Sequence, residues 1–428
     1  VVAREPLTAT GIASDQLKVL VGPGAERMNP QAPYDVVQPI WRGRLNTQKH
    51  GLGPVRRALE EVFRYVIAVW QSTKRKANEE VPEEVAVVLV VPEEATRYDV
   101  SVMVETLFSV SGVAAVFPHH TSVCASYGAG LSTCVVVDLG HTTSYVVCID
   151  EGVVVPESRM RLTYGGVHVS AVIRRLLTRY KAWDTLEPHA RPSEMAGIVE
   201  TIKEELVLAS GTENDVLFVA RTNTTGRVLR VKVGIGPLIV PIWGLFFPSL
   251  FNAASGRPIT DLPSGNEDDD NSQFIDSLVD DSMRTVRGLA AKPIGYFGNS
   301  EADNLISVDD AIVRSVKNAA EAVSKQDIRR RLLSAVLMVG GCSEAKNLGE
   351  TLEKRVRRRL PEVFGESLSK ETTVDVLVGG KELPAGTLAW AGGAVAAQAE
   401  SSADIWVTID EWKIRGSRAI REKSPFFW

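Results

Sequence analysis

The chain has 428 residues, of which 44% are hydrophobic and 24% are charged, and its formal net charge is -5. This length predicts two or three domains with sizeable cores, and the composition is that of a globular protein. A net negative charge excludes a chain-wide nucleic-acid surface, so any such binding requires a local basic patch. We find no apolar run near the roughly 18 residues that a membrane-spanning helix needs.

The four cysteines are scattered along the chain without the spacing of a metal site. Three of them stand in apolar surroundings, which predicts buried, reduced thiols and favours a cytosolic or nuclear compartment. The first residues lack the basic-then-apolar pattern of a signal peptide, so we expect no secretory leader. The cysteines are Cys124, Cys134, Cys148 and Cys342.

The first 80 residues predict a loop-rich start followed by one long helix. Residues 1–33 are rich in Gly, Pro and Ala and predict a loop with one strand near Leu17–Val21, and 34–46 predicts an extended segment. Pro54 suits the first turn of a helix. Apolar residues then recur at helical spacing. They are Val55, Leu59, Val62, Phe63, Val66, Ile67 and Trp70.

A basic cluster, Lys74, Arg75 and Lys76, falls where this helix should end. Cations are favourable at the C-terminus of a helix because they oppose its dipole. The cluster is therefore either a solvated helix end or a contact for DNA or a protein partner.

The next segment alternates strands and helices. Val85–Val91 predicts a buried strand, a helix carries Val100, Val104, Leu107 and Phe108, and Val113–Phe117 predicts a second strand. A short helix opens at 123–127. This order indicates an α/β fold.

The stretch VVVDLGHTTSYVVCIDE, residues 135–151, predicts two strands joined by a tight turn. Asp138 ends the first apolar run, Gly140 follows, and the second run begins at Tyr145. Such a turn can cradle a phosphate while the Asp reaches a Mg²⁺ ion through water. The alternative is an ordinary hairpin whose Asp caps its own turn.

After the hairpin, helices are predicted from Val169 and over Met195–Leu208, and the second carries Lys203 and Glu204 side by side. Strands follow at 216–219 and 228–233, and the very apolar 239–251 should fill a core. Residues 252–300, with the acidic run Glu267–Asp270, predict an insertion that is partly disordered or grips a partner.

Beyond the insertion, Ser307 and Asp310 suggest a capping box at a helix start. The strand Ala335–Val339 ends in Gly340 and Gly341, and a helix over 344–360 follows. A further strand is predicted at 374–378, then a helix of small residues. The helix over 344–360 carries four arginines, Arg355, Arg357, Arg358 and Arg359.

Three glycine-marked turns, at Gly140, Gly340–Gly341 and Gly392–Gly393, together with the Lys203–Glu204 pair suggest a two-lobed nucleotide fold. In such a fold the turns hold phosphates, and paired glycines let the backbone approach the nucleoside closely.

The motifs that carry a family resemblance are VVVDLGHTTSYVV, YGGVHVS, ETIKEE, AVLMVGGCSE and LAWAGGAVAAQ. They follow the order and spacing of the actin superfamily, and the aromatic ending and acidic insertion resemble the nuclear actin-related proteins. The resemblance implies an α/β, actin-like two-lobed ATPase fold built from duplicated ribonuclease-H-like domains. One lobe would comprise 1–129 plus 387–428, and the other 130–386 with the insertion.

The resemblance also implies a site for ATP and Mg²⁺. Asp138 and Gly140 match the second phosphate turn, with Asp138 toward the metal and His141 beside it. Lys203 and Glu204 match the pair that flanks the nucleoside. Gly340 and Gly341 match the adenosine turn, and Trp390, Gly392 and Gly393 match the second connecting segment between the lobes.

Several positions depart from the family pattern. The first phosphate turn has no counterpart, and His141 stands where actins have an acid. Tyr145 replaces the histidine that assists hydrolysis, and Thr121, beside His120, replaces the glutamine that positions water. Ala345 and Gly386 replace the aromatic and the lysine near the purine. Hydrolysis needs a water held in line, so we expect weak ATP binding at most and little turnover. His141 either binds phosphate or is a structural histidine.

The resemblance thus implies a non-catalytic scaffold subunit of a nuclear ATP-dependent chromatin-remodelling complex of the Ino-eighty class. It would dock on a helical segment of the remodeller ATPase with nuclear actin and actin-related protein 4, and would help engage nucleosome and linker DNA. The alternatives are a polymerising actin-like ATPase and a sugar kinase. Candidate partner or DNA contacts are Lys74, Arg75, Lys76, Arg355, Arg357 and Arg358, for which a solvated face is the competing interpretation.

Overall fold

The structure is a computed structural model. It describes residues 2–4, 19–22, 35–179, 192–209, 216–221, 228–233, 235–251, 306–323, 325, 327–366, 369, 372–398 and 404–424. The predicted insertion at 252–300, with its acidic run Glu267–Asp270, lies outside the described residues. The chain divides into two compact units, Val1–Cys124 with Gly393–Trp428, and Ala125–Gly392.

The first unit is built on a mixed three-stranded sheet, in which β6 (Val85–Val91) lies parallel to β7 (Val113–His120). On the other side of β7 lies β16 (Val407–Thr408), so the order is β16-β7-β6. A second, antiparallel sheet has the order β2-β1-β3, and β4 pairs with β5. The strands of the first unit are β1 Val2–Arg4, β2 Val19–Val21, β3 Asp35–Val37, β4 Ile40–Trp41, β5 Arg44–Leu45, β6 Val85–Val91, β7 Val113–His120 and β16 Val407–Thr408. Its helices are α1 Thr47–His50, α2 Leu52–Lys76, α3 Arg97–Phe108, α12 Ile409–Arg415 and α13 Ser417–Lys423.

Helix α3 begins where a capping box satisfies its first free N–H groups. Thr96 accepts a hydrogen bond from the backbone N–H of Asp99, and Asp99 accepts one from the backbone of Thr96. The helix then buries Val100, Val104 and Leu107 against β6 and β7, as their spacing predicts.

The second unit contains a six-stranded sheet in the order β10-β9-β8-β14-β15, with β11 also paired to β9. Strands β8, β14 and β15 run parallel, while β9 runs antiparallel to β8. The strands of this unit are β8 Cys134–Leu139, β9 Ser144–Asp150, β10 Val153–Val154, β11 Met160–Leu162, β12 Val216–Arg221, β13 Val228–Val233, β14 Val336–Val339 and β15 Val376–Val378.

Helices cover this sheet and complete the core. They are α5 Gly166–Arg179, α6 Pro192–Leu206, α7 Ile235–Trp243, α8 Val308–Ala322, α9 Ile328–Leu333 and α10 Leu348–Phe364. Helix α4 Thr121–Ala129 and helix α11 Leu388–Gln398 each contain one of the two boundaries between the units. Phe246, Phe247 and Phe251 are buried in this core, as the apolar pattern of 239–251 predicts.

The predicted capping box at Ser307 is wrong. Ser307 is the N-cap of α8, but its side chain makes no capping hydrogen bond. Its Oγ is buried without a hydrogen-bond partner among the residues that the structure describes. The helix start is instead held by burial of Val308 and by a backbone hydrogen bond from Val308 to the carbonyl of Leu245.

All four cysteines are free thiols, and Cys124, Cys134 and Cys148 are buried, as predicted. Burial raises the pKa of each of these three thiols to about 12. In the described part of the chain, no helix combines the length and apolarity needed to cross a membrane.

Candidate functional site

The predicted phosphate hairpin is present in the second unit. Strands β8 and β9 pair antiparallel with Asp138 opposite Tyr145, and the turn between them covers 140–143. A Cβ on Gly140 would come within 2.6 Å of the Thr143 carbonyl oxygen, so this tight turn accepts only glycine. The exposed His141 lies at its tip.

The first residues of α5, with Gly165 before them, brace this turn from the other side. The N–H of Gly166 donates to the carbonyl of Gly140 at 2.9 Å, and that of Val167 donates to the carbonyl of His141 at 2.8 Å. A Cβ on Gly165 would come within 2.4 Å of the Gly140 carbonyl oxygen. The motif YGGVHVS therefore holds the turn, and Gly165 and Gly166 are site residues that the sequence analysis did not assign. The signal that could have found them is the glycine pair itself.

Gly340 stands beside Asp138 because β14 lies parallel to β8, with Val339 level with Asp138. The φ angle of Gly340 is 85°, and a Cβ there would come within 2.6 Å of Asp138 Oδ1. Both parallel strands thus end at the same edge of the sheet, each in a glycine turn. Ligands of open α/β sheets bind outside the carboxyl ends of the strands, which is this edge.

Cys342 lies in the turn that follows these glycines. Its thiol is 3.8 Å from the Gly140 carbonyl oxygen, toward which it donates. Burial raises the pKa of this thiol to about 11, against the opposing effect of the Lys203 cation. Ser343 Oγ donates to the Gly340 carbonyl at 2.6 Å and fixes the turn.

Lys203 lies at the wall of the candidate site, held against α5, whereas the assignment of Glu204 stays a prediction. Lys203 Nζ donates to Ser170 Oγ on α5 at 3.1 Å and also pairs with Glu200. Its side chain is 14% exposed. Glu204, one position on along α6, is exposed. Lys203 and Asp138 have opposite effects on the Cys342 thiol: the cation lowers its pKa and the carboxylate raises it.

A polar contact occurs beside Ala345 and at Gly386, the positions where the family pattern has an aromatic and a lysine. Glu344 Oε1 accepts a hydrogen bond from the Gly386 N–H at 3.0 Å. A Cβ on Gly386 would lie 3.4 Å from the same oxygen. This carboxylate contact was not predicted from the sequence. Trp390, assigned to the connecting segment, is 76% exposed.

Two of the positions that would serve hydrolysis are held by local contacts. Tyr145 is buried, and Thr143 Oγ1 donates to its hydroxyl at 3.2 Å. In the other unit, Thr121 Oγ1 donates to the Val91 carbonyl at 3.0 Å. His120 is buried with its Nδ1 3.7 Å from Glu93 Oε2.

The donor set fits a magnesium ion that is bound mainly through a nucleotide. No cluster of three or more His, Cys, Asp or Glu side chains able to hold a metal occurs among the described residues. The edge of the candidate site does offer the Asp138 carboxylate. It lies so close to the Gly340 backbone that a Cβ at position 340 would come within 2.6 Å of Asp138 Oδ1. Mg²⁺ keeps several waters and takes one or two carboxylates plus substrate phosphates, so one Asp suffices.

The predicted partner residues divide into exposed and buried groups. Lys74 pairs with Glu79 at 2.6 Å and lies over the Trp70 ring, whereas Arg75 and Lys76 are exposed. Arg357 is 55% exposed and pairs with Glu353, and Arg358 is exposed.

The assignment of Arg355 to a partner surface is wrong. Its side chain is 13% exposed and pairs with the buried Asp309 at 3.2 Å. Its guanidinium lies 4.8 Å from the ring centroids of both Phe246 and Phe247. Burial lowers its pKa, and Asp309 opposes that shift. Arg355 therefore holds α10 to α8 and to the apolar segment after α7.

Comparison with known proteins gives one family. The family profile described as Actin matches residues 58–216 and 276–425. Actin-related protein 8 of Aedes aegypti is 23% identical over 94% of this chain and 75% of its own length. Actin-related protein 8 of Bos taurus is 24% identical over 96% of this chain and 74% of its own length.

A solved structure agrees with the fold. The structure titled "Human actin-related protein Arp8 in its ATP-bound state" superposes with a TM-score of 0.75 and 23% identity, covering 97% of this chain and 74% of that one. The predicted actin-like, two-lobed α/β fold and the predicted resemblance are confirmed.

Proposed function

This chain belongs to the actin family, and from that premise we propose that it is a nuclear, non-catalytic subunit of an ATP-dependent chromatin-remodelling complex. It binds ATP weakly and does not hydrolyse it at the rate of an actin. Similarity to proteins named actin-related protein 8 supports this choice within the family.

The observation that carries the nucleotide part is the approach of Gly340 to Asp138 at the end of two parallel strands. The N–H groups of the turn at 140–143 would cradle the phosphates. Asp138 would hold Mg²⁺ through water, and Lys203 would supply positive charge at the wall. Bound Mg²⁺ would neutralise phosphate charge.

The non-catalytic part depends on the residues at the two positions that the family resemblance assigns to hydrolysis. A phenol with an ordinary pKa near 10 is a poor proton acceptor at neutral pH, and Tyr145 is also buried and bonded to Thr143. The Thr121 hydroxyl already donates to a backbone carbonyl. General base catalysis needs a free acceptor within reach of the attacking water.

Calorimetric titration with ATP and Mg²⁺, run beside a phosphate-release assay, tests this proposal. We expect measurable binding that weakens when Mg²⁺ is chelated, with turnover far below that of actin. The variant Asp138→Asn should bind ATP with little dependence on Mg²⁺. Turnover at the rate of a competent actin, or pelleting of ATP-dependent filaments, would show that the chain is a polymerising ATPase instead.

We propose that DNA binding involves only those predicted contact residues whose cationic side chains are exposed. Phosphate contacts release counterions, so each lost contact lowers DNA affinity and flattens its dependence on salt. The double variant Arg357→Glu, Arg358→Glu should do both, and Lys325→Ala, an exposed cation already paired with Asp150 and Glu151, is the control. Unchanged affinity and salt slope in the double variant would leave these arginines as ordinary surface.

The docking part is tested by pull-down. An immobilised helical segment of a remodeller ATPase should retain the chain together with actin and actin-related protein 4. Failure to retain it in the presence of both would contradict the docking proposal without bearing on nucleotide binding.

A further inference from the structure

Glu344 presents an exposed carboxylate beside the glycine turn that follows β14. It is the last residue of the short helical turn Gly341–Glu344, which Ser343 fixes through its hydrogen bond to the Gly340 carbonyl. Glu344 Oε1 accepts a hydrogen bond from the Gly386 N–H at 3.0 Å. Among the residues that the structure describes, no cation pairs with Glu344. One oxygen of this carboxylate is thus anchored to the backbone, and the group keeps further acceptor positions.

The contact between Glu344 and Gly386 lies at one end of a row of strand ends. Strand β14 lies between β8 and β15 and is parallel to both. The Gly340 N–H donates to the Ala385 carbonyl at 3.2 Å, so the segment after β15 packs on the turn after β14. The Asp138 carboxylate is therefore at the β8 end of this row, and the Glu344 carboxylate is at the β15 end.

A nucleotide whose phosphates lie on the turn at 140–143 extends along this row toward β15. On the opposite side of the turn, the N–H groups of Gly166 and Val167 already donate to its carbonyls. Two strand spacings, about 9 to 10 Å, separate β8 from β15. This separation is of the order of that between the phosphates of a nucleotide and the edge of its base. The base then lies beside Glu344 and Gly386.

A carboxylate beside a purine distinguishes guanine from adenine, because its oxygens only accept hydrogen bonds. Guanine has two adjacent donors on its Watson–Crick edge, N1–H and the N2 amino group, and they match the two carboxylate oxygens. Adenine has the N6 amino group beside N1, which is an acceptor, so one carboxylate oxygen would face a lone pair. A site built to accept two hydrogen bonds discriminates against a base that donates only one.

We propose that the chain binds a guanine nucleotide in preference to an adenine nucleotide, with Glu344 accepting from N1–H and the N2 amino group. This inference rests on the nucleotide site proposed above and specifies its base. The Gly386 N–H holds the carboxylate in position, and the paired, charge-assisted hydrogen bonds to the base add geometric specificity. Ala345, the next residue, offers only a methyl group for stacking, so the contact with the edge of the base determines the preference.

Calorimetric titration with GTP, inosine triphosphate and ATP, each with Mg²⁺, tests the proposal. Inosine triphosphate is the matched probe, since its base keeps N1–H and lacks the N2 amino group. We expect GTP to bind at least about tenfold more tightly than ATP, with inosine triphosphate between them. ATP binding as tight as GTP binding would overturn the guanine preference and leave the nucleotide site standing. Absence of binding by all three nucleotides would contradict both.

The variant Glu344→Gln gives the sharper test. A glutamine amide has one acceptor and one donor, which match the N6 amino group and N1 of adenine. The variant should therefore bind ATP more tightly and GTP more weakly than the unchanged chain. Glu157→Gln is the control, at an exposed position just after β10, which pairs with the end of β9 remote from the turn at 140–143. A ratio of GTP to ATP affinity that Glu344→Gln leaves unchanged would overturn the proposal.

Discussion

The backbone of Gly340 lies against the carboxylate of Asp138, so closely that a Cβ at position 340 would come within 2.6 Å of Asp138 Oδ1. The same Cβ would come within 2.6 Å of the Leu139 carbonyl oxygen. Adjacent parallel strands create this approach, and only a glycine with positive φ allows it. The chain thus builds the edge of its candidate nucleotide site from two turns distant in sequence.

The variant Gly340→Ala should lose nucleotide binding and at least about 1 kcal/mol of stability, because the new methyl group meets Asp138 and the φ of 85° is strained for alanine. Calorimetric titration with ATP and Mg²⁺ measures binding, and urea unfolding measures stability. Gly341→Ala is the control for stability alone, since nothing lies within 4 Å of its Cβ. Equal losses of stability in the two variants would contradict the close approach.

Arg355→Ala should lower the free energy of unfolding by about 3 kcal/mol, because it leaves the buried Asp309 with a lost partner. Arg359, which also contacts Asp309 at 3.3 Å, keeps the loss at the lower end of the range for such pairs. Arg358→Ala, at an exposed position on the same helix, should change stability by less than about 0.5 kcal/mol. Denaturant titration decides between a structural and a surface role for Arg355.

The two helix starts make a matched pair of tests. Thr96→Ala should cost about 1 kcal/mol, because the threonine side chain caps α3. Ser307→Ala should cost nothing or stabilise the chain slightly, since its buried Oγ has no partner in the described part of the chain. A loss of similar size at both sites in urea unfolding would mean that Ser307 caps α8 after all.

The free energy of unfolding should decrease as the pH is lowered from neutrality, because His119 is buried in its neutral form. Burial, and then the neighbouring His120, lower the pKa of His119 from 6.5 to about 4, while Glu93 opposes the shift. Between pH 6.5 and 4, His119 is therefore protonated in the unfolded chain and neutral in the folded chain. This contribution is fully present above pH 6.5 and is lost progressively as the pH falls toward 4, by about 3 kcal/mol in total.

His119→Asn checks this, because the asparagine oxygen can replace Nδ1 as acceptor for the His120 N–H without titrating. Unfolding free energies measured from pH 7 to 4 should fall less steeply for the variant. Parallel curves for the variant and the wild type would assign the pH dependence to other groups.

Local patterns in the sequence were enough to predict several of the main secondary-structure elements. The hairpin around Gly140, the strand ending at Gly340 and helix α3 were predictable because periodicity and turn residues act over a few positions. Motif order then indicated the actin family, which the family profile confirmed. The capping boxes show the limit of such patterns. Thr96 forms one, and Ser307, with an equally suitable residue three positions on, does not.

What the sequence by itself determined is therefore the succession of elements, the glycine turns and the family. Only the tertiary structure decided which side chains those elements turn inward. Arg355 and Arg358 look alike in a basic helix, but Asp309, 46 residues earlier in the chain, draws Arg355 into the core and leaves Arg358 in solvent. Likewise Val66 and Ile67 belong to one predicted apolar pattern, and only packing leaves Val66 exposed. The reason is physical: a residue's partners across the fold set its burial and its charge environment, and local spacing does not specify them.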